Sequence, residues 1–378
     1  MDSYNYLVNP STKSKLYEAN GMKCFLERFK ENIETLICLG NNYSGKELAR
    51  NRVYDMYQDN ENPVCIDLVV TNVCNGHCFF CQASGSHEDS REYLSLNDFE
   101  RFIGNQGIHL TITGGEPLVR GAYVEKLIKV VKKTRKSTIC LLTNLSLLNN
   151  KEIETMKQCF GYFDVVQVSV YSDNPMIHKK ICGRDDWKQI NENIQQLVKG
   201  GIPVRANLTV NKYNVLDIEK IYKFYMNLGV EHICISCLLN KGLAQKMVDE
   251  EYVLNYVFET AKFVKSGYQN YNIAVPIEAL RGYHHCIELI GGRTVDKLKE
   301  VNGIFQKLKL YINYDGELFY SESKEWIGNI KTALLSEIAA KSVYLGQGLC
   351  STCNALPICG GRLKFDNGVA APYCSLVQ

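Results

Sequence analysis

The sequence lacks several features that would assign it to a specialised class of protein. Its 43 basic and 41 acidic residues nearly cancel, so neither charge is in strong excess. This balance argues against a broad nucleic-acid interface. No run of apolar residues is long enough to cross a bilayer, and no signal-peptide pattern opens the chain. We therefore expect a soluble, cytoplasmic protein with neither a nucleic-acid nor a membrane partner.

Cysteine, in contrast, is abundant, with 16 in a chain of 378 residues. In a reducing compartment, so many thiols indicate metal or cluster ligands rather than disulfides. Three of them form the pattern Cys74-Asn-Gly-His-Cys78-Phe-Phe-Cys81. Thiolates at this spacing can hold one cubane iron–sulfur cluster and leave its fourth iron without a protein ligand. A zinc knuckle is the alternative, and it needs a fourth ligand, for which His77 is the candidate.

From residue 65 onwards, short apolar runs alternate with helical patterns in six β–α units. Such alternation predicts a parallel sheet with covering helices, and six units rather than eight predict an incomplete barrel. In barrels of this kind the chemistry lies at the carboxyl ends of the strands, where the cysteine loop follows the first strand. The predicted strands are Ile66–Thr71, His109–Thr113, Thr138–Leu142, Val165–Val170, Val204–Val210 and His232–Leu238, and the predicted helices lie near 96–104, 121–134, 150–159, 186–200, 215–228 and 249–265.

These patterns divide the chain into three regions. Residues 1–62 form an N-terminal extension with a helical pattern, which serves for packing, as a lid or in peptide recognition. Residues 63–290 form the partial (β/α)6 TIM-like barrel. Residues 291–378 form a small, irregular domain with a β-hairpin that turns at Gly316 and a cysteine-rich tail. The predicted fold class is therefore α/β, with a helical extension before the barrel and an iron–sulfur domain after it.

A glycine-rich motif, Thr113-Gly114-Gly115-Glu116-Pro117, follows the second predicted strand. Two glycines let the backbone approach a ligand closely, and a carboxylate beside them can receive an ammonium group. Together with the cysteine loop, in which the aromatic Phe80 precedes the last thiol, this motif resembles the radical S-adenosylmethionine (SAM) superfamily.

The resemblance implies a cofactor pair and a set of contacts. The open iron would chelate the amino and carboxylate groups of SAM, and one electron would cleave SAM to a 5′-deoxyadenosyl radical. The motif at 114–116 would hold the methionine amino group, and Ser169 would contact SAM. Asn144 either faces the cofactor or only caps the next helix. Many relatives have an acidic residue where this chain has Tyr171, so the resemblance does not carry the expected ribose contact over to that position. Asn207 on the fifth strand is a weaker candidate.

The C-terminal tail resembles the SPASM extension, which occurs in radical SAM enzymes that modify peptides and proteins. The full extension has ligands for two auxiliary clusters, but here Leu363 and Ser321 stand where cysteines are expected. What is left matches one auxiliary 4Fe–4S cluster, and a structural zinc site with the same thiolates is the alternative. The four expected ligands are Cys350, Cys353, Cys359 and Cys374.

The function that the resemblance implies is that of a peptide maturase. A ribosomally made precursor peptide would receive a thioether or carbon–carbon cross-link, and a flavodoxin- or ferredoxin-type donor would supply the electron. A peptide epimerase with a thiol hydrogen donor and a small-molecule dehydrogenase are the alternatives among enzymes. A non-enzymatic zinc or iron–sulfur module is disfavoured, because such a module has no use for the motif at 114–116.

Two further thiols are candidates for a hydrogen donor. Cys234 shares a strand face with His232 and Ser236, and this polar face is expected to line the barrel interior. Cys182 lies in the loop after the fourth predicted strand, at the expected barrel mouth. For each of them, simple packing of a small apolar side chain is the alternative.

Overall fold

The structure is a computed structural model that describes residues 28–42 (without 30, 34, 37 and 38), 64–82, 93–134, 136–239, 242–274, 309–320 and 326–341. The four tail cysteines, most of the N-terminal extension and the predicted boundary near residue 290 lie outside the described residues. The auxiliary cluster and the division into three domains therefore stay predictions.

Strands and helices alternate along the described chain as the sequence predicts, and the bounds of the six predicted strands agree to within two residues. The strands are β1 (Asn41–Asn42), β2 (Val64–Val69), β3 (Ile108–Thr113), β4 (Thr138–Thr143), β5 (Val165–Val170), β6 (Val204–Thr209), β7 (His232–Ser236), β8 (Tyr271–Ile273), β9 (Lys309–Ile312), β10 (Glu317–Tyr320) and β11 (Trp326–Asn329). The helices are α1 (Leu96–Ile103), α2 (Gly121–Lys132), α3 (Asn150–Cys159), α4 (Pro175–Cys182), α5 (Trp187–Lys199), α6 (Ile218–Asn227), α7 (Glu250–Lys265) and α8 (Leu335–Lys341).

One sheet contains all the described strands, in the order β1-β8-β7-β6-β5-β4-β3-β2-β9-β10-β11. Strands β2 to β8 are parallel to their neighbours in this series. The predicted α/β partial barrel is thus confirmed. The sequence pattern missed β8, which is too short for a periodic signal. It also missed α4, which begins at Pro175 behind the capping side chain of Asn174.

The two faces of the parallel strands differ in polarity. In β3 and β6, buried and half-buried residues alternate strictly. The buried positions are apolar and join the core beneath the helices, as Leu110 and Leu208 do. The opposite face, which forms the barrel interior, has polar side chains such as Thr111 and Asn207. This alternation leaves a polar lining on the side where a ligand would enter.

The predicted hairpin is present, with Gly316 in a left-handed conformation at its turn (φ 91°). It does not stand apart from the barrel, however, because β9 pairs in parallel with β2, from Cys65 to Leu68. Leu310, Ile312 and Leu318 are fully buried in the common core. The open edge of β2 explains this fusion, since an unpaired strand edge offers a row of backbone donors and acceptors.

The described part of the N-terminal extension packs against the barrel. Its described residues between 28 and 36 are helical, and Phe29, Ile33 and Leu36 are buried in the core. The ring of Phe29 lies 6.4 Å from that of Phe258 in α7. Among the described residues, no helix is long and apolar enough to span a membrane.

Candidate cofactor site

The cysteine loop at 74–81 follows β2 directly, and its three thiols are half-buried. Among the described residues, only His178, Cys182 and Asp186 form a set of three potential metal donors whose ligand atoms all lie within 4.8 Å of one another. The thiols of Cys74, Cys78 and Cys81 do not meet this criterion. The thiols of the 74–81 loop are therefore more widely spread than ligands of a single zinc ion, whose bonds are only about 2.0–2.3 Å long. Thiolates of a cubane bind different irons, so this loop fits a cluster better.

The middle and the C-terminal part of the cysteine loop are held by neighbouring elements. The amide of His77 donates to the carbonyl of Cys182 at the end of α4, at 2.9 Å. The ring of Phe80 is buried and packs edge-on against Tyr171, with 5.8 Å between ring centroids. His77 itself is exposed, and its ring is outside the convergent donor set. These contacts place the loop at the carboxyl edge of the sheet, as the sequence predicts.

The glycine-rich turn after β3 lies directly against the start of the cysteine loop. The amide of Gly115 donates to the carbonyl of Thr71, and that of Glu116 donates to Val73, both at 2.8 Å. A β-carbon at Gly114 or Gly115 would collide with the carbonyl of Thr71 or of Val73. The two glycines are therefore required because the turn packs against the backbone of residues 71–73.

Glu116 is almost completely buried, at 1 % exposure, and its carboxylate has three described donors. The Thr143 hydroxyl donates to Oε1 at 2.6 Å, the Leu118 amide donates to Oε1 at 3.0 Å, and the Asn144 amide donates to Oε2 at 2.7 Å. Burial raises the pKa of Glu116, and these hydrogen bonds act in the opposite direction. The carboxylate thus joins the ends of β3 and β4. Its predicted contact with the SAM ammonium stays a prediction.

The side chain of Asn144 bonds to the cysteine loop. Its Nδ2 donates to Oδ1 of Asn75 at 2.9 Å, and its Oδ1 accepts from the Ser146 hydroxyl at 2.6 Å. Asn75 in turn donates to that hydroxyl at 2.8 Å, which closes a ring of three side chains. Helix α3 is capped by Asn149, and Oδ1 of Asn144 accepts from the Ser146 amide at 3.0 Å in a local turn. The predicted contact of Asn144 with the cofactor stays a prediction. The sequence analysis missed Asn75 and Ser146, although Asn75 lies inside the cysteine motif.

The other predicted site residues lie on the polar interior face of the sheet. Ser169 is in register with Asn207, which is in register with Cys234. The Ser236 hydroxyl donates to Asn207 at 2.7 Å, and the Cys234 thiol lies 3.9 Å from the side-chain oxygen of Gln167. The predicted strand parity of Cys234 therefore agrees with the structure. Its role as a hydrogen donor stays a prediction.

Cys182, the second candidate donor, is fully buried at the end of α4. Its Sγ lies 3.1 Å from Nε2 of His178, and the same nitrogen lies 2.9 Å from a carboxylate oxygen of Asp186. The other oxygen of Asp186 accepts from Nε of Arg184 at 2.6 Å. Nothing in the sequence analysis pointed to Arg184 or Asp186. The polar run directly after Gly183 was the available signal.

Comparison with known proteins finds a family match within the barrel. Residues 68–225 match the sequence model of the Radical SAM superfamily, from β2 into α6. Over these residues the chain is similar to that superfamily. The match contains the cysteine loop, the 114–116 turn, Asn144 and Ser169.

Curated relatives resemble the barrel rather than the whole chain. A probable GTP 3′,8-cyclase of Saccharolobus islandicus (strain M.14.25 / Kamchatka #1) is 30 % identical over 197 residues, which cover 51 % of this chain and 62 % of that protein. A probable GTP 3′,8-cyclase of Thermococcus kodakarensis is 33 % identical over 147 residues, 38 % of this chain and 46 % of the relative. The chain therefore spans less than two thirds of the curated relatives that it matches.

Solved structures share the fold over a longer stretch. Streptococcus suis SuiB bound to S-adenosylmethionine has a TM-score of 0.59 and 18 % identity, with 90 % of this chain and 85 % of that chain covered. The enzyme anSMEcpe with bound AdoMet has a TM-score of 0.59 and 17 % identity, with 82 % and 93 % covered. At such identities the likeness shows the fold alone.

Proposed function

We propose that this chain binds a 4Fe–4S cluster through Cys74, Cys78 and Cys81, holds SAM beside it, and cleaves SAM reductively. When bound and reduced, the cluster supplies the electron that splits SAM into methionine and a 5′-deoxyadenosyl radical. The observation that carries the proposal is the set of hydrogen bonds that connects the cysteine loop, the 114–116 turn and the end of β4. It fixes the thiols at the carboxyl edge of the sheet, where barrels of this kind place their chemistry.

The chain's own residues have three tasks in this proposal. Glu116 and Asn144 hold the edges of β3, β4 and the cysteine loop in one arrangement. Ser169 offers a hydroxyl to SAM from the interior face. The polar lining around Asn207 and Cys234 receives the substrate, while the helices exclude water from the other side of the sheet.

For the substrate, we propose a ribosomally made precursor peptide and a thioether or carbon–carbon cross-link as the product. Two fold relatives support this class, since their structures were solved as SuiB bound to the precursor peptide SuiA and as anSMEcpe bound to the Cp18Cys peptide. A cross-link removes two hydrogens from the peptide. One would go to the deoxyadenosyl radical as a hydrogen atom. The other would leave as a proton to solvent and an electron, and Cys350, Cys353, Cys359 and Cys374 would hold the auxiliary cluster that could accept this electron.

Variants of the tail cysteines test whether the auxiliary cluster accepts that second electron. Replacing Cys353 and Cys359 by Ala removes two of the four proposed ligands. We expect deoxyadenosine to form without modified peptide, because SAM cleavage needs only the cluster at the barrel. Modified peptide at the wild-type rate would reduce the auxiliary cluster to a structural accessory.

A nucleotide cyclisation is the second candidate function. The observation that favours it is the sequence match to probable GTP 3′,8-cyclases over the barrel. The polar interior face suits a nucleotide as well as a peptide backbone. Epimerisation of a peptide and dehydrogenation of a small molecule stay open as alternatives.

One experiment tests the proposal and separates the candidates. The full chain is reconstituted anaerobically with iron and sulfide, reduced with dithionite, and given SAM alone, SAM with GTP, or SAM with the peptide encoded by the nearest short reading frame. We expect deoxyadenosine in all three, and a faster release with the true substrate. C78A should form none. Wild-type chain that holds the cluster but leaves SAM intact would contradict the proposal, and turnover of GTP would select the second function.

A further inference from the structure

A buried guanidinium group lies directly beside the cysteine loop. Arg184 is only 9 % exposed, and a β-carbon at Gly76 would collide with its Nη1. Its Nη2 is buried without a hydrogen-bond partner among the described residues. Because an unpaired buried donor is costly, this nitrogen calls for an acceptor that the binding site supplies.

Two residues hold this guanidinium in place. Asp186 accepts from its Nε at 2.6 Å, and His178 bonds to the other oxygen of Asp186 at 2.9 Å. Asp186 compensates part of the charge of Arg184, but it lies on the Nε side, whereas Nη1 lies against the loop. The guanidinium charge therefore lies against the loop that carries the thiols, at Gly76 between Cys74 and Cys78.

Tyr171 adds a second donor to the same thiols. Its Oη lies 3.5 Å from Sγ of Cys78, and the side chain is buried against Phe80 and His178. A cysteine that ligates iron is a thiolate and can only accept, so the phenol must donate. This residue stands where the family resemblance leads one to expect an acidic side chain.

The electrostatic consequence is a shift in electron affinity. A cubane held by three thiolates is anionic, and reduction adds a further negative charge. A nearby cation and hydrogen bonds to the sulfurs stabilise the reduced state, and a low local dielectric strengthens both effects.

We propose that Arg184 and Tyr171 set the midpoint potential of the cluster and make it easier to reduce, with Asp186 and His178 as positioning residues for Arg184. The step concerned is the gain of one electron by the cluster from the external donor, with no bond made or broken. This inference rests on the proposed function, because it requires the cluster at Cys74, Cys78 and Cys81.

The test is a redox titration of the reconstituted full chain without SAM, followed by electron paramagnetic resonance. We expect R184Q to lower the equilibrium constant for one-electron reduction at least tenfold, which corresponds to about 59 mV. Y171F keeps the ring and loses only the hydroxyl, so a decrease of about threefold is expected for one hydrogen bond. The matched control is K179A, an exposed charge on α4 five residues before Arg184, which should change the constant less than twofold because solvent screens it.

Other results would overturn the proposal. If R184Q leaves the potential unchanged and weakens SAM binding instead, Arg184 is a contact for SAM and not a determinant of the potential. If R184Q loses the cluster, R184K and Y171F test the proposal instead. R184K keeps the charge, and its equilibrium constant for reduction should match that of wild type within about twofold. An unchanged midpoint potential in Y171F would contradict the role of the phenol. Failure of the wild-type chain to assemble a cubane would refute the proposed function at an earlier step.

Discussion

The two flanks of the cysteine loop differ in their chemistry. Toward β3 and β4, the loop meets amides, hydroxyls and one buried carboxylate, which bond to one another in a closed network. Toward α4, it meets the ion pair of Arg184 and Asp186 and the phenol of Tyr171. A satisfied polar network fixes positions, whereas a charge acts over distance on the electron affinity of its neighbours. We infer that one flank determines the geometry of the site and the other its electronics.

Removing the three thiols of the cysteine loop, which lies between the two flanks, should have the largest effect on SAM cleavage. Replacing Cys74, Cys78 and Cys81 together by Ala should abolish SAM cleavage and leave about half the iron of a two-cubane protein that holds about eight irons. The measurements are iron content and deoxyadenosine after anaerobic reconstitution.

Cys159 offers a matched control for that triple variant. It is half-buried at the end of α3, so C159A should keep full iron and full cleavage. About twelve irons in the wild-type chain would show that a second auxiliary cluster is present after all. Stoichiometric zinc in the triple variant would mean that the tail binds zinc rather than a cluster.

Breaking the β3–β4 flank at its centre should have the next largest effect. In E116Q the amide cannot accept from all three of its present donors, and one buried donor loses its partner. We expect SAM binding to weaken by about 1.5–3 kcal/mol and iron content to stay intact. Titration of the reconstituted protein with SAM measures the first, and an iron assay the second.

T143V separates the two possible reasons for that loss. It removes the hydroxyl that donates to Glu116 and accepts from the Leu145 amide at 2.8 Å, and it leaves the carboxylate itself unchanged. If Glu116 acts as an anchor for β4, T143V should also weaken SAM binding, by about 1 kcal/mol. If Glu116 contacts the SAM ammonium directly, T143V should bind SAM as wild type does. SAM binding unchanged in both variants would remove Glu116 from the site.

The two flanks also differ in how far the sequence predicts them. The β3–β4 flank follows from local signals: the cysteine spacing, the paired glycines and the strand ends that a parallel sheet brings to one edge. The α4 flank depends on α4, a short helix inside a predicted loop, and on Arg184, whose guanidinium reaches the loop across more than 100 residues of chain. No periodic pattern encodes that contact, because it arises from packing between segments that are distant in the sequence.

The hairpin illustrates the same limit. Asp315-Gly316 in the turn predicts its two strands correctly, since that turn type requires a residue with positive φ. Its pairing with β2 could not be predicted, because the partner strand lies more than 240 residues away and parallel pairing has no turn signal.

A smaller effect is expected when the β3–β4 flank loses a peripheral member. N75A removes a bond to Asn144 and a bond to Ser146, each about 1 kcal/mol, and leaves the carboxylate network in place. We expect the rate of SAM cleavage to fall several-fold with unchanged iron. The control is N72A in the same segment, whose described side-chain contact is one long hydrogen bond of 3.4 Å from Tyr93. Equal losses in both variants would indicate general disturbance of the loop instead of a specific joint.

The smallest effect is expected at the two candidate donor thiols, which lie in opposite environments. Cys234 is half-exposed on the interior face, whereas Cys182 is sealed behind the α4 flank. An epimerase returns a hydrogen to the substrate carbon from a weak bond close to it, and a thiol on the interior face meets that need better than a buried one. A cross-linking enzyme needs neither thiol, and its product is lighter than the precursor by two hydrogens.

We therefore expect both C234A and C182A to give the lighter peptide at a rate near that of wild type, measured by mass spectrometry in ordinary and heavy water. The half-exposed Cys234 has room to lose its sulfur at small cost, whereas C182A leaves a small cavity and should lower the unfolding free energy by about 1 kcal/mol. A product of unchanged mass that takes up deuterium only when Cys234 is present would replace cross-linking by epimerisation. Dependence on Cys182 instead would require the α4 flank to open during turnover, because its thiol has no path to the interior face in the arrangement described.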